Sequence, residues 1–303
     1  MTHFKHRSIC LALLITLGVV WGSGYSIARY CMTHGVPPLG YSFWQSLGPM
    51  IFLLLIVLFG RIPFSFKKAS LRYYVMCGVL GIALPNTLIY FAAQHLPSGV
   101  LTVLVNTVPI LIYPLALGLR QEGWQWQRVL AVAVGVIGIM LIIGQNLNLP
   151  SIHHIPWTAL TLFAPLSFAF CAVLIALFRP TPSNSMSLSL GMLMVSTACI
   201  LPLTLGFHSF YPLHFPFGIN DWLIMLEILL SSLGYFVLFV LIKLAGPVYY
   251  SMVGGVVSLT GLFWGKMVFH EQLNFLSWGG VAAILLAIAL LTHYIYRHNE
   301  VTA

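Results

Sequence analysis

The stretch of sequence that decides the fold is residues 94–126, which read QHLPSGVLTVLVNTVPILIYPLALGLRQEGWQW. The nineteen residues from Leu101 to Leu119 include only four polar side chains, those of Thr102, Asn106, Thr107 and Tyr113. At about 1.5 Å per residue, a helix of this length crosses a hydrocarbon core of about 30 Å. The charged segment 120–123 and two tryptophans follow, as is typical of a membrane–water boundary. The stretch therefore predicts a transmembrane helix.

The same pattern returns 149 residues later. There, Lys243-Leu244-Ala245-Gly246-Pro247 precedes an apolar run to Val268, and Glu271 falls on Glu122. All five hydrophobic runs of the first half coincide with five runs of the second half, without a gap. We therefore predict a tandem duplication, with repeats at residues 1–148 and 149–303.

The composition places the whole chain in the membrane class. Charged residues make up 6% of the 303 residues and apolar residues 60%, with a mean hydropathy of +0.98. A soluble domain has roughly a quarter charged residues, so this chain cannot cover a water-facing surface. We predict an all-α polytopic membrane protein. The net charge of +8 comes from basic residues scattered in short connections, and we expect no nucleic-acid partner.

Ten apolar runs predict ten transmembrane helices. The first runs from Ile9 to about Cys31, and because it is too long for a cleavable signal we expect it to be retained. The other nine are roughly 39–59, 71–92, 98–119, 128–145, 156–178, 186–207, 222–243, 247–268 and 276–295. Small residues recur every four positions in some of them (Gly18, Gly22 and Ser26; Ser251 and Gly255; Gly261 and Gly265), a spacing that favours close helix packing.

The lysines and arginines give the orientation. With the N-terminus in the cytoplasm, eleven of the thirteen basic residues lie on the inner side and only Arg29 and Lys266 on the outer side. Both termini are then cytoplasmic, in an inner or plasma membrane. Because each repeat has an odd number of helices, the second enters the membrane in the opposite orientation. The halves are thus predicted to form an inverted repeat, as in many secondary transporters.

The chain resembles the drug/metabolite transporter superfamily, of the ten-helix type with two EamA domains. Three features carry the resemblance: Trp21-Gly22-Ser23, the helix from Pro97 to Pro109, and the segment 118–122 that ends this helix, with Glu271 at the corresponding place in the second half. It implies a membrane transporter of amino acids, other metabolites or drugs. Many relatives have an arginine where this chain has Gln45, so the resemblance transfers no contact to an anionic group there.

Neutral polar and aromatic side chains at mid-membrane depth are the candidates for substrate binding. They are Trp21, Tyr25, Asn86, Tyr90, Asn106, Tyr235 and Phe239. Three pairs among them are four residues apart and so share a helix face. The helix-weakening pair Pro85-Asn86 aligns with Gly234-Tyr235 across the repeat, which is the sequence pattern of a transporter site. For each residue alone, ordinary packing between helices is the alternative interpretation.

Charged groups within the membrane are few. Glu227 is the candidate coupling residue, with a structural hydrogen bond or snorkelling as the alternative. The first helix contains no Asp or Glu, and we therefore expect transport without proton coupling. Arg29 is expected to snorkel to the interface. Glu122 and Glu271 are expected to be structural residues at helix ends.

The function predicted from these features is secondary active or facilitative transport of a small amphipathic metabolite, by alternating access and in the export direction. A multidrug or toxic-cation exporter is the alternative within transport. An intramembrane enzyme or a lipid-handling protein is a further alternative, but the sequence has no metalloprotease, phosphate-loop or nucleophile-elbow motif. We predict no enzyme activity, cofactor, metal or catalytic residue. The expected partners are a small-molecule substrate and the lipid bilayer, with the chain a monomer or homodimer.

Overall fold

A computed structural model describes residues 2–120, 123–146, 154–180, 184–250, 253–272 and 275–302. This part of the chain is built from α-helices joined by short connections, with one π-helical turn. The helices are α1 (Thr2–Thr33), α2 (Pro38–Phe59), α3 (Lys68–Gly78), α4 (Leu84–Ala93), α5 (Ser98–Val105), α6 (Val108–Gly118), α7 (Trp126–Asn146), α8 (His154–Phe178), α9 (Ser185–Gly206), α10 (Ile219–Tyr250), α11 (Val253–Phe269) and α12 (Phe275–Thr302).

The helices account for the ten predicted membrane crossings. Within the described residues, seven segments are long and apolar enough to cross a membrane: 8–33, 38–59, 68–93, 98–118, 156–175, 185–206 and 219–238. Three shorter apolar helices, at 126–141, 253–269 and 278–290, supply the remaining runs. Many large apolar side chains point outward on these helices, as a lipid-facing surface requires. The prediction of an all-α polytopic membrane protein is confirmed.

Two predicted helix boundaries were wrong. We expected the eighth helix to end near residue 243 and the ninth to begin at Pro247, but α10 continues to Tyr250 and α11 begins at Val253. A proline removes one backbone hydrogen bond while keeping a helical φ, so a membrane helix can continue through it. The outermost helices α1 and α12 also extend beyond their apolar runs, because hydropathy marks the membrane-embedded part and not the helix end.

The third span is interrupted where α3 passes into α4. The π-helical turn Val79–Ala83 lies between them, and the amide of Leu84 bonds the carbonyl of Val79. Continuing this pattern would pair the Leu80 carbonyl with the amide of residue 85, but Pro85 has none. The hydroxyl of Ser167 on α8 donates to the Leu80 carbonyl instead, at 2.7 Å. A second helix thus satisfies the backbone at the interruption.

The fourth span is broken at its centre, between α5 and α6. Asn106 and Thr107 both leave helical geometry, with ψ angles of 11° and 3°. Their side chains add hydrogen bonds to carbonyls that their own backbone amides also bond: the Asn106 side-chain amide donates to the Thr102 carbonyl at 2.8 Å and the Thr107 hydroxyl to the Leu104 carbonyl at 2.7 Å. Irregular backbone at membrane depth is expected only inside a protein or beside a cavity.

Helices at equivalent positions of the two predicted repeats end in the same way. Arg61 after α2 and His208 after α9 both have a positive φ, near 50°, as do Arg120 after α6 and His270 after α11. After α2 and after α9, the amide of the residue that follows the positive-φ residue bonds the carbonyl five residues earlier, as in a Schellman motif. Packing is also reciprocal, since α1 packs on α10 and α11 while α8 packs on α3, α4 and α6. The division at residues 148 and 149 falls outside the described residues, and the two-repeat organisation stays a prediction.

The first helix is held against the second half of the chain by small residues. A methyl group at Gly18 would collide with Val256, and one at Gly22 would come within 2.6 Å of Cβ of Thr260 on α11. A methyl group at Gly261 would likewise collide with Thr102 of α5. These glycines allow the helices to approach closely. Their predicted role in packing is confirmed, whereas the same prediction was wrong for Gly255, because no neighbouring atom lies within 4 Å of a methyl group added there.

Connections that the topology predicts on the outer side do lie at one end of the bundle. Asn220 donates to the carbonyl of His34 at 3.0 Å, and the indole of Trp44 donates to the carbonyl of Tyr211 at 2.9 Å. These bonds link the α9–α10 connection to the segment between α1 and the start of α2. Which membrane face this end occupies stays a prediction.

Candidate functional site

Four of the predicted substrate-binding residues come together where α10 meets α1 and α4. Trp21 on α1 and Tyr235 on α10 pack edge to face, with ring centroids 6.4 Å apart and an interplanar angle of 72°. Tyr25 on α1 and Tyr90 on α4 pack against the same buried cluster. All four side chains are only partly buried in the bundle.

A glycine on α10 makes room for the indole. A methyl group at Gly234 would collide with Nε1 of Trp21. The Trp21 ring therefore lies directly against the α10 backbone, one residue before Tyr235. This explains in packing terms why the repeat has Gly234-Tyr235 where the first half has Pro85-Asn86.

Glu227 lies beside this aromatic group, on the same helix. It is eight residues into α10, so it lies about 12 Å along the helix axis from its start, and it is only 7% exposed. A methyl group at Gly24 of α1 would collide with its carboxylate. Oε1 of Glu227 is 3.2 Å from the hydroxyl of Ser231, which is also 3.1 Å from Oε1 of Gln45 on α2. Glu227 thus takes part in an interhelical polar network.

Sequence reasoning missed two residues of this group, Tyr41 and Gln45. The Tyr41 ring is fully buried and packs edge to face on Tyr90, with centroids 4.8 Å apart. Gln45 is 5% exposed. The two are four residues apart on α2 and so share a helix face. That spacing, in a helix otherwise rich in Leu, Ile and Phe, was a signal that could have found them.

The remaining predicted site residues are placed differently. Asn106 lies at the break between α5 and α6, facing Gly254 of α11, where a methyl group would come 3.1 Å from its Oδ1. Asn86 is partly buried on α4, one turn before Tyr90. The side chain of Phe239 lies outside the described residues. The structure therefore packs Trp21 on Tyr235 and places Tyr25 and Tyr90 against one buried cluster that contains Tyr41, with Asn86 one turn before Tyr90 and Asn106 at the break between α5 and α6.

A second charged cluster joins helices at the end of the bundle where α1 ends and α5 begins. Arg29 forms a salt bridge with Glu271, whose carboxylate also accepts from the Ser98 amide at 2.7 Å, the Ser98 hydroxyl at 2.9 Å and the Gly99 amide at 3.1 Å. Glu271 therefore caps the N-terminus of α5, where the helix dipole favours a negative charge. The expected helix-end role of Glu271 is confirmed. The expectation for Arg29 was wrong, because its guanidinium pairs with this carboxylate and lies over the Phe269 ring at 4.7 Å. Glu122 is outside the described residues.

Two hollows open at the opposite end of the bundle. One, of about 700 Å³, is lined by residues of α3 and by Phe178. The other, of about 400 Å³, lies between the segment 63–65, α3 and the start of α9. Their walls contain none of the predicted site residues, so neither hollow corresponds to the aromatic group beside Glu227.

These features define a polytopic α-helical membrane protein with a polar and aromatic centre between its helices. Residues 8–144 match the EamA-like transporter family. The match confirms the predicted resemblance at the level of family.

Comparison with other proteins agrees with this assignment. The chain is 30% identical over 177 residues to the uncharacterized inner membrane transporter YedA of Escherichia coli K12, covering 56% of this chain and 54% of YedA. It is 26% identical over 135 residues to the uncharacterized transporter YoaV of Bacillus subtilis 168, covering 44% and 46% of the two chains. The chain thus spans about half the length of the curated relatives it matches.

A protein of known crystal structure has the same fold. It superposes with a TM-score of 0.57 at 16% identity, over 95% of this chain and 98% of its own. At this identity the likeness extends to the fold alone.

Proposed function

We propose that the protein is a secondary active or facilitative transporter that moves a small amphipathic metabolite by alternating access. The substrate class is an amino acid or a related compound, and the direction is export. The membrane is the inner or plasma membrane, with both termini in the cytoplasm. The chain works as a monomer or homodimer, without a cofactor and without enzyme activity.

One observation carries this proposal. Trp21 and Tyr25 of α1, Tyr90 of α4 and Tyr235 of α10 lie where helices from both halves of the chain meet, and Glu227 of α10 lies directly against Gly24 of α1. Transporters built from repeats bind their substrates near mid-bilayer between those repeats, beside discontinuous helices. Two interruptions lie in the first half, the π-helical turn before α4 and the break between α5 and α6.

The proposed mechanism uses two inverted repeats, residues 1–148 and 149–303. Five crossings in each repeat give the two halves opposite orientations, so exchanging their conformations would convert an inward-open cavity into an outward-open one. The matching helix ends and the reciprocal packing support this arrangement.

A multidrug or toxic-cation exporter is the second candidate, and one observation favours it. Glu227 is a buried carboxyl in a membrane-spanning helix, against Gly24 of α1 and near the cluster that contains Tyr25, Tyr41 and Tyr90, whose rings would also attract a cation. An exporter of organic cations would use both features.

Flux into proteoliposomes tests the transport proposal. The purified chain is reconstituted and supplied with radiolabelled pools of amino acids, other metabolites and cationic drugs, with protein-free vesicles as the control. We expect saturable movement of at least one pool. Failure to move any pool, by protein that remains folded in the vesicles, would contradict the proposal.

A further inference from the structure

Three buried polar atoms, one of Glu227 and two of residues on α2, have no hydrogen-bond partner among the described residues. They are Oε2 of Glu227, Nε2 of Gln45 and the hydroxyl of Tyr41. Their side chains are 7%, 5% and 0% exposed. Buried polar groups without a partner are rare and costly, so such a cluster indicates a ligand that completes it.

The three residues form one group. Ser231 bridges Gln45 and Glu227, with its hydroxyl 3.1 Å and 3.2 Å from their Oε1 atoms. Tyr41 packs on Tyr90 and shares a buried cluster with Ile224 of α10, and Ile228, the residue after Glu227, packs against that cluster. The unpartnered atoms therefore belong to a single polar centre, to which α2 and α10 contribute the side chains.

The orientation of the Gln45 amide decides what the centre can accept from a ligand. The Ser231 hydroxyl has one proton and faces two oxygens, Oε1 of Gln45 and Oε1 of Glu227, so it can donate to only one of them. Turning the Gln45 amide over lets Nε2 donate to the Ser231 oxygen, while the Ser231 hydroxyl donates to Glu227. In this turned orientation the two atoms left without a partner, Oε2 of Glu227 and Oε1 of Gln45, are both acceptors. A ligand that brings two or more N–H donors would satisfy them together.

Glu227 also has no ionic partner. In the part of the chain that the structure describes, the one salt bridge joins Arg29 to Glu271, and no basic side chain reaches Glu227. Aromatic rings lie in the same region: Tyr41 and Tyr90 pack on each other in the buried cluster that contains Ile224 of α10, and Trp21 packs on Tyr235 further along that helix. Aromatic faces attract cations, so these surroundings favour a positive group.

We propose that Glu227, Gln45 and Tyr41 form the recognition site for a primary or secondary ammonium group of the substrate, with the substrate's apolar body against Trp21 and Tyr235. This assignment rests on the proposed transport function. An N–H-bearing ammonium fits better than a quaternary one, because only the former can donate to Oε2 of Glu227 and to a second acceptor.

Binding to matched compounds tests the proposal. The full chain in lipid nanodiscs is titrated with 2-phenylethylammonium, with its neutral analogue 2-phenylethanol, and with the phenylethyl-trimethylammonium ion. We expect the primary ammonium to bind at least about tenfold more tightly than the alcohol, because a charge-assisted hydrogen bond is lost in the neutral compound. The quaternary ion should bind less tightly than the primary one.

Variants test which residues produce the preference for the primary ammonium over the alcohol. Glu227→Gln should reduce the ratio of the two affinities to less than about threefold. Asp221→Asn, which removes a buried acid six residues earlier on the same helix, should leave it unchanged. If Glu227→Gln does not fold, Gln45→Leu and Tyr41→Phe carry the test, and each should weaken ammonium binding severalfold.

The outcomes separate this proposal from the transport proposal. Equal affinity for ammonium and alcohol, no binding of the ammonium by folded protein, or an unchanged preference in the folded variants would overturn the ammonium site. If the protein transports neutral or anionic metabolites and shows no preference for ammonium compounds, the ammonium site is refuted and the transport proposal still stands. An intact ammonium preference without any flux would overturn the transport proposal alone.

Discussion

Replacing Glu271 with glutamine should destabilise the protein by about 2–4 kcal/mol. The carboxylate accepts three hydrogen bonds from Ser98 and Gly99 and pairs with Arg29. Losing an N-terminal helix cap costs about 1 kcal/mol. Leaving the guanidinium of Arg29 without its ionic partner costs about 1–3 kcal/mol more, because it is only 22% exposed.

The assay is unfolding in mixed detergent, followed by tryptophan fluorescence, on wild type, Glu271→Gln, Arg29→Met and the double variant. The cycle should give a coupling energy of about 1–2 kcal/mol between the two side chains. Lys266→Met is the control, since it removes an exposed charge near the same end of α11 and should change stability by less than about 0.5 kcal/mol. A Glu271→Gln variant as stable as wild type, or a coupling energy of zero, would refute the role assigned to this cluster.

Three further predictions concern packing, binding and topology. Gly234→Ala should cost about 1–3 kcal/mol, because its methyl group collides with Trp21, whereas Gly255→Ala, with open space around it, should be neutral or stabilising in the same unfolding assay. Trp21→Ala and Asn86→Ala should each lower substrate affinity about ten- to hundredfold in flux assays without loss of folded protein, and normal transport by both would place the cavity elsewhere. A periplasmic reporter fused at position 214 should be active, and a signal from the cytoplasm would show that the predicted helix parity is wrong.

The fold was predictable because membrane helices are recognised in a sequence as long runs of apolar residues. Each crossing needs about 20 apolar residues, and short connections fix the order of the helices. The boundary between α10 and α11 was harder, since Gly246-Pro247 is compatible both with a helix end and with a helix that continues. The π-helical turn before Pro85 was not predicted, because it depends on the hydroxyl of Ser167, which is remote in sequence.

The candidate site was predictable only in part. Trp21, Tyr25, Tyr90 and Tyr235 stood out because aromatic residues four apart share a helix face. Their convergence depends on how α1, α4 and α10 cross, and no local pattern encodes that arrangement. Asn106 was selected for its depth, yet its amide bonds the backbone at a helix break.

The same limitation explains the missed partners. Gln45 and Glu227 are separated by 182 positions in the sequence and are joined through Ser231. Arg29 and Glu271 are 242 positions apart. A single sequence shows which charged groups are candidates, but helix packing decides which of them pair.

Exchange across a membrane tests the central claim most directly. Proteoliposomes are loaded with an unlabelled substrate identified in the flux screen, or left empty, and uptake of the labelled substrate is followed at equal external concentration. One site that opens alternately to the two faces predicts faster initial uptake into loaded vesicles, and this stimulation should disappear in a Trp21→Ala variant that is still folded. Equal uptake into loaded and empty vesicles, rising linearly with concentration, would indicate a pore and contradict alternating access.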